Sequence, residues 1–154
     1  MKGKLIIFLM AILIALPAAA QKSARGDGPS AEKKKEFFEI KLKYLADEID
    51  LKADQKKKFV ELYTQMENER RAIFQKMKAS ERALKHNQNA TEADYEKARK
   101  DKAAFESQME QVEKKYESQF ATFLSQKQIY KLKEAEKSFM EKVRSCRDKK
   151  KAKK

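Results

Sequence analysis

FVELYTQMENERRAIFQKMKASERAL, residues 59–84, decides the fold. Phe59, Tyr63, Met66, Arg70, Ile73, Met77, Ser80 and Leu84 recur at alternate steps of four and three, the 3.5-residue repeat that keeps one face of a helix against a partner helix along its length. The stretch predicts a helix from about Ala53 to Lys85. No Gly or Pro occurs between residue 31 and Cys146, and 40% of the chain is charged. Gly and Pro punctuate most turns, so their absence argues for a few long helices and no sheet.

The same seam recurs downstream. Ala98, Lys102, Phe105, Met109, Val112, Tyr116, Phe120 and Phe123 define a helix over about residues 92–123. Between the two, HNQNAT (86–91) breaks the pattern; Asn87 and Asn89 suit a tight turn. TEAD (91–94) begins the next helix with a capping hydroxyl and an acid three residues later. Two helices of about 50 Å joined by so short a turn are expected to form a long antiparallel hairpin. Folding about position 88 would bring Phe59 near Tyr116, Tyr63 near Val112, Met66 near Met109 and Arg70 beside Glu106.

A shorter helix precedes them, from about Ala31 to Ile49, with Ser30 as N-cap. Phe38, Leu42, Leu45 and Ile49 form its expected core face, which leaves Phe37, Ile40 and Tyr44 on another side. A fourth helix is expected over about residues 126–147. Ile129, Leu132, Met140 and Val143 share its inner face, with Phe139 flanking. The expectation is an all-α domain of four helices over residues 31–147, followed by a basic disordered tail at 148–154.

Its N-terminus has a different composition. MKGK, a twelve-residue apolar run and Ala18–Ala20 have the layout of a cleaved signal peptide over residues 1–20, and QKSARGDGPS (21–30) reads as a flexible lead-in. The apolar run is shorter than the roughly 20 residues a spanning helix needs. Export to the periplasm is the expected localisation, with removal of Lys2 and Lys4 taking the net charge from +13 to +11. Such basicity usually indicates nucleic acid. Outside the cytoplasm it points instead to unfolded or acidic polypeptides, anionic lipid or cell-wall polymer.

Two short elements punctuate the helices. Leu124, Ser125 and Gln128 make a leucine followed by a Ser-x-x-Gln capping box, and Leu51 and Gln55 repeat the outline with Lys52 at the cap. With half the box lost, a looser turn is expected at Leu51. These paired elements resemble the LTxxQ motifs of the Spy/CpxP family of periplasmic proteins. The resemblance spans about residues 31–146 and includes the leader and the four-helix order, with Lys52 and Ser125 departing from the motif's Thr. It implies a cradle of long helices, dimeric through antiparallel coiling, that protects unfolded envelope proteins without ATP.

The chemistry of sites points the same way. His86 stands alone in a turn without the ligand cluster a metal site requires, no phosphate-binding loop is present, and carboxylates among lysines do not make the desolvated pocket of an acid–base pair. The expectation is no enzyme and no cofactor. Cys146 has no internal partner, which leaves a free thiol or an intermolecular bridge. The candidate surface comprises Phe37, Ile40 and Tyr44, together with Arg71, Phe74 and Lys78, where an aromatic ring lies between two cations. Either set could hold clients or form a homodimer interface. The alternative function is a structural or adaptor protein using its basic face and tail on anionic lipid or cell-wall polymer.

Overall fold

The computed structural model describes residues 30–152. The expected leader and almost all of the lead-in lie outside the described residues. Four helices make up the described chain, with no strand among them: α1 Ala31–Glu48, α2 Ala53–His86, α3 Glu92–Phe120 and α4 Gln126–Ala152. They divide into two compact units. One contains Lys52–Gln126, and the other joins the segment ending at Leu51 to the segment beginning at Lys127.

In the unit of α1 and α4, the Lys33 N–H donates to the Ser30 hydroxyl at 3.4 Å and caps α1. The end of α1 is closed more firmly than its sequence suggests. Asp50 takes φ 51°, its N–H donates to the Asp47 carbonyl at 3.4 Å, and the Leu51 N–H reaches the Ala46 carbonyl at 3.0 Å. This is the paired 6→1 and 5→2 bonding of a Schellman motif, with aspartate where glycine is usual. Aspartate tolerates the left-handed region better than most side chains, and its carboxylate also pairs with Lys131 at 2.6 Å. The loose turn expected here is therefore a capped one.

Burial corrects the assignment of faces in this unit. Tyr44, Leu45 and Ile49 are buried on α1, whereas Phe38 and Leu42 are half-buried. Tyr44, expected on the surface, is core: its ring lies 5.4 Å from that of Phe139. Its hydroxyl donates to Ser138 Oγ at 3.3 Å and accepts from the Lys142 ammonium at 2.8 Å. A phenol with both partners satisfied can be buried at little polar cost. On α4, Phe139 is fully buried beside Ile129, Leu132, Ala135 and Val143, while Met140 is 41% exposed. The flanking residue and the core residue exchange places. α4 also runs past Arg147 to Ala152, so residues 148–152 of the expected tail are helical. Cations in a last helical turn are favoured by the dipole, and no Gly or Pro stops the helix there.

In the unit of α2 and α3, the seam is where the repeat places it. Phe59, Tyr63 and Met66 are buried on α2, and Val112, Tyr116 and Phe120 on α3, with Leu124 just beyond. Arg70, Ile73, Met77 and Leu84 continue it half-buried. On α3 the half-buried member is Asp101, whose carboxylate accepts from Ser80 Oγ at 3.4 Å, and Lys102 is exposed. The joint follows its chemistry closely. Asn89 N–H donates to Asn87 Oδ1 at 3.1 Å, and Thr91 N–H donates to Asp94 Oδ2 at 2.8 Å while Asp94 N–H donates to Thr91 Oγ1 at 3.4 Å. α3 ends at Phe120, three residues early, and the Leu124 N–H folds back to the Phe120 carbonyl at 2.8 Å.

The pairing register differs from that expected. Lys58 meets Thr122, Phe59 meets Phe120 with ring centroids 5.7 Å apart, Glu69 meets Lys115, and Ser80 meets Asp101. Phe59 does not pair with Tyr116, and Arg70 pairs with Glu113 and Glu67, at 3.4 Å and 3.1 Å, in place of Glu106. As the residue number rises along α2, that of the partner on α3 falls, and every pair sits a few residues beyond a fold about position 88. Two causes add. The turn, residues 87–91, centres on Asn89, and side chains lean toward their own helix N-terminus, so in a pair ordered this way each partner lies further along its chain.

Candidate functional site

The motif residues act first on the backbone. Gln55, half-buried in the first turn of α2, accepts from the Lys52 N–H through Oε1 at 3.0 Å and donates from Nε2 to the Phe123 carbonyl at 2.7 Å. Lys52 has no acceptor in its side chain, so the capping is one-sided, as its residue type dictates. The glutamine thereby ties the start of α2 to the turn that ends α3. Leu51 is half-buried and Leu124 is buried. Ser125 immediately precedes α4, and Gln128 is its third residue, the two positions a capping box occupies.

Of the candidate surface residues, Arg71, Phe74 and Lys78 share one stripe of α2. Phe74 is 50% exposed, and the Lys78 ammonium lies 5.5 Å from its ring centroid and 2.7 Å from a Glu81 carboxylate oxygen. Val60, 42% exposed, sits two heptads earlier on the same stripe. In the other unit, Phe37 is exposed along one edge while its ring rests 5.4 Å from that of Phe139, and Ile40 is half-buried. Tyr44 leaves the candidate set. Sequence reasoning missed Val60, Tyr95, Tyr130 and Met140, all exposed. The available signal was position: Val60, Tyr130 and Met140 each follow a buried residue by one place, which carries a side chain about 100° round the helix from the core.

Four of the six cations of α3 are held by carboxylates at short range. Lys97 holds Asp101 at 3.0 Å, Lys100 holds Glu96 at 2.8 Å, and Lys114 holds Glu110 at 2.6 Å. Glu69 accepts from both Lys115 Nζ and the Tyr116 hydroxyl at 2.7 Å. Those bonds, from Lys115 first and Tyr116 next, hold its carboxyl below the usual range, while burial and then the Glu69 carboxylate push the Tyr116 phenol up. Among the described residues no group of three or more His, Cys, Asp or Glu is arranged to hold a metal ion. His86 is exposed as the last residue of α2, and Cys146 is half-buried with its thiol free. No described helix is long and apolar enough to cross a membrane. Comparison with family models, curated proteins and solved structures finds no match to the chain.

The candidate surface presents apolar side chains standing singly among cations on the helices. Such a surface can attract an acidic, partly unfolded chain over a Debye length of roughly 8 to 10 Å and touch its apolar groups weakly.

Proposed function

We propose that the chain is an ATP-independent holding chaperone for unfolded or misfolded polypeptides of the periplasm. Its architecture in this reading is a cradle-like dimer in which α2 and α3 form a long antiparallel hairpin. The observation that carries the reading is Phe74, half exposed between Arg71 and Lys78 with an ammonium over its ring. A lone aromatic ring left in water on a charged helix contributes nothing to the core. Beside cations it provides a weak, reversible contact for an extended acidic segment that carries apolar groups.

The resemblance of Leu51–Gln55 and Leu124–Gln128 to the paired family motif supports the same reading, as does the layout of residues 1–20. The test is suppression of aggregation of an unrelated unfolded protein by the chain from Gln21 onward, at near-equal molar amounts and without nucleotide. Phe74→Ser is expected to weaken suppression several-fold without loss of helicity, and added salt to weaken it further. A chain that leaves aggregation unchanged at low salt overturns the reading.

A further inference from the structure

α4 carries ten Lys and Arg against four Asp and Glu, whereas α3 carries six against eight. Its inner face, Ile129, Leu132, Ala135, Phe139 and Val143, is buried. One residue further round lie Tyr130, Lys133, Lys137, Met140, Arg144 and Arg147, at steps of three and four, and all six are exposed. We infer that this outer stripe of α4 docks the protein on an anionic lipid surface.

Three observations carry the assignment. The first is uncompensated charge: lysines of α3 are held by carboxylates within 3.0 Å at Lys97, Lys100, Lys114 and Lys115, but Lys137, Arg144 and Arg147 make no ion pair among the described residues. The acids three or four residues from Lys137 and Arg144 on the helix, Glu134, Glu141 and Asp148, hold neither. The second is shape. A straight helix touches a plane along a single stripe, and this one is about 25 Å long at about 1.5 Å per residue. The third is composition. Tyr130, 70% exposed, and Met140, 41% exposed, stand on the same line as the cations. A tyrosine ring and a flexible thioether suit the headgroup level of a bilayer, whereas a soluble polyanion would engage the cations and gain nothing from the apolar pair. With the main apolar face of α4 already buried, the helix lies on the surface and does not insert, so attachment is peripheral and salt-reversible.

The experiment is vesicle sedimentation with the chain from Gln21 onward, which contains all four helices. The vesicles are 30% phosphatidylglycerol in phosphatidylcholine, or phosphatidylcholine alone, with helicity of each variant checked by circular dichroism. Binding is expected to the anionic vesicles only, and to disappear in concentrated salt. Each cation near an anionic leaflet contributes roughly five-fold, so Lys137→Gln with Arg144→Gln should weaken binding by roughly thirty-fold. Lys97→Gln with Lys100→Gln removes the same net charge elsewhere and should leave binding within roughly two-fold. Tyr130→Ser with Met140→Ser should weaken vesicle binding several-fold but leave binding to polyglutamate unchanged. Equal loss from the α3 and α4 pairs would reduce the effect to net charge and overturn the assignment. So would binding to neutral vesicles, no binding to anionic ones, or a Tyr130/Met140 variant that binds lipid like the wild type, which would assign the stripe to soluble polyanions. Aggregation suppression by the α4 variants is expected to be unchanged, so this result and the chaperone reading stand or fall separately.

Discussion

Gln55 is a short polar side chain with two backbone partners, and its replacement can be worked through bond by bond. Gln55→Ala removes the 2.7 Å bond that satisfies the Phe123 carbonyl and the 3.0 Å bond that satisfies the Lys52 N–H. The amide is exposed and recovers water, so its loss costs about 0.5 kcal/mol; the part-buried carbonyl is left without its donor and costs about 1 to 3 kcal/mol. The expected total is about 2 kcal/mol, or roughly 8 to 16 °C in Tm for a helical unit of this size. Gln55→Glu separates the two bonds. Its carboxylate still accepts from Lys52 and gains about 0.3 to 1 kcal/mol at the helix N-terminus, but it cannot donate and faces the carbonyl oxygen. It should be less stable than the wild type by about 1 kcal/mol at pH 7. Contact with the carbonyl raises the folded-state pKa of the new carboxyl, so folding favours its proton and the deficit should shrink as pH falls through that raised value toward the unfolded value of about 4.5. Urea unfolding followed by circular dichroism at pH 7 and pH 4 measures both variants. A Gln55→Ala chain within about 0.5 kcal/mol of wild type, or a Gln55→Glu deficit that does not shrink in acid, refutes the reasoning.

Phe139→Ala should destabilise by about 3 to 5 kcal/mol and Met140→Ala by less than about 0.5 kcal/mol, because Phe139 is fully buried and Met140 is 41% exposed; parallel urea melts decide whether the neighbouring residues exchange roles as described. Asp50→Gly should hold or raise stability relative to Asp50→Ala by about 1 kcal/mol, since alanine must adopt φ 51° and glycine does so freely; both variants lose the Lys131 pair, so it cancels in the comparison. The Glu69 carboxyl is lowered by its bonds from Lys115 and Tyr116, so its contribution is fully present above the unfolded value of 4.5 and is lost as pH falls through the folded value. Stability measured from pH 6 downward should fall more steeply for the wild type than for Glu69→Gln.

How much of this was legible follows from what each signal encodes. The 3.5-residue repeat from Phe59 to Leu84 fixes helix existence and the α2 seam, because alternating fours and threes have only one facing solution. The joint at Asn87–Asp94 was legible because its side chains bond to their own backbone. The face of α1 was not: Phe38, Leu42, Leu45 and Ile49 offer one apolar phase and Phe37, Ile40 and Tyr44 another. Phe139, Ser138 and Lys142 on α4 select Tyr44 from outside the helix. Arg70 pairs away from Glu106 because pairing depends on where side chains lean, which a fold about one sequence position ignores. The cap at Asp50 was hidden for a simpler reason, since aspartate reads as a helix-start residue far more readily than as the left-handed residue of a helix end. Of the candidate surface, Phe74 with its two cations was legible as a ring in the wrong phase for the seam; Tyr130 and Met140 depend on which α4 residue is core, and that choice is tertiary.

Burial along α2 and α3 is graded. Phe59, Tyr63, Met66, Val112, Tyr116 and Phe120 are closed off from water, whereas the seam residues nearer the Asn87 turn, from Arg70 to Leu84 and from Ala98 to Met109, are half-buried, with Asp101 in place of the exposed Lys102. A pair of helices built this way breathes from its tip. Amide protons near His86 and Glu92 should exchange through small local openings, while those around Tyr63 and Tyr116 wait for the whole unit to unfold. A pliant tip on a firm base would allow the outer half of the surface around Phe74 to adjust to differently shaped chains without dismantling the fold.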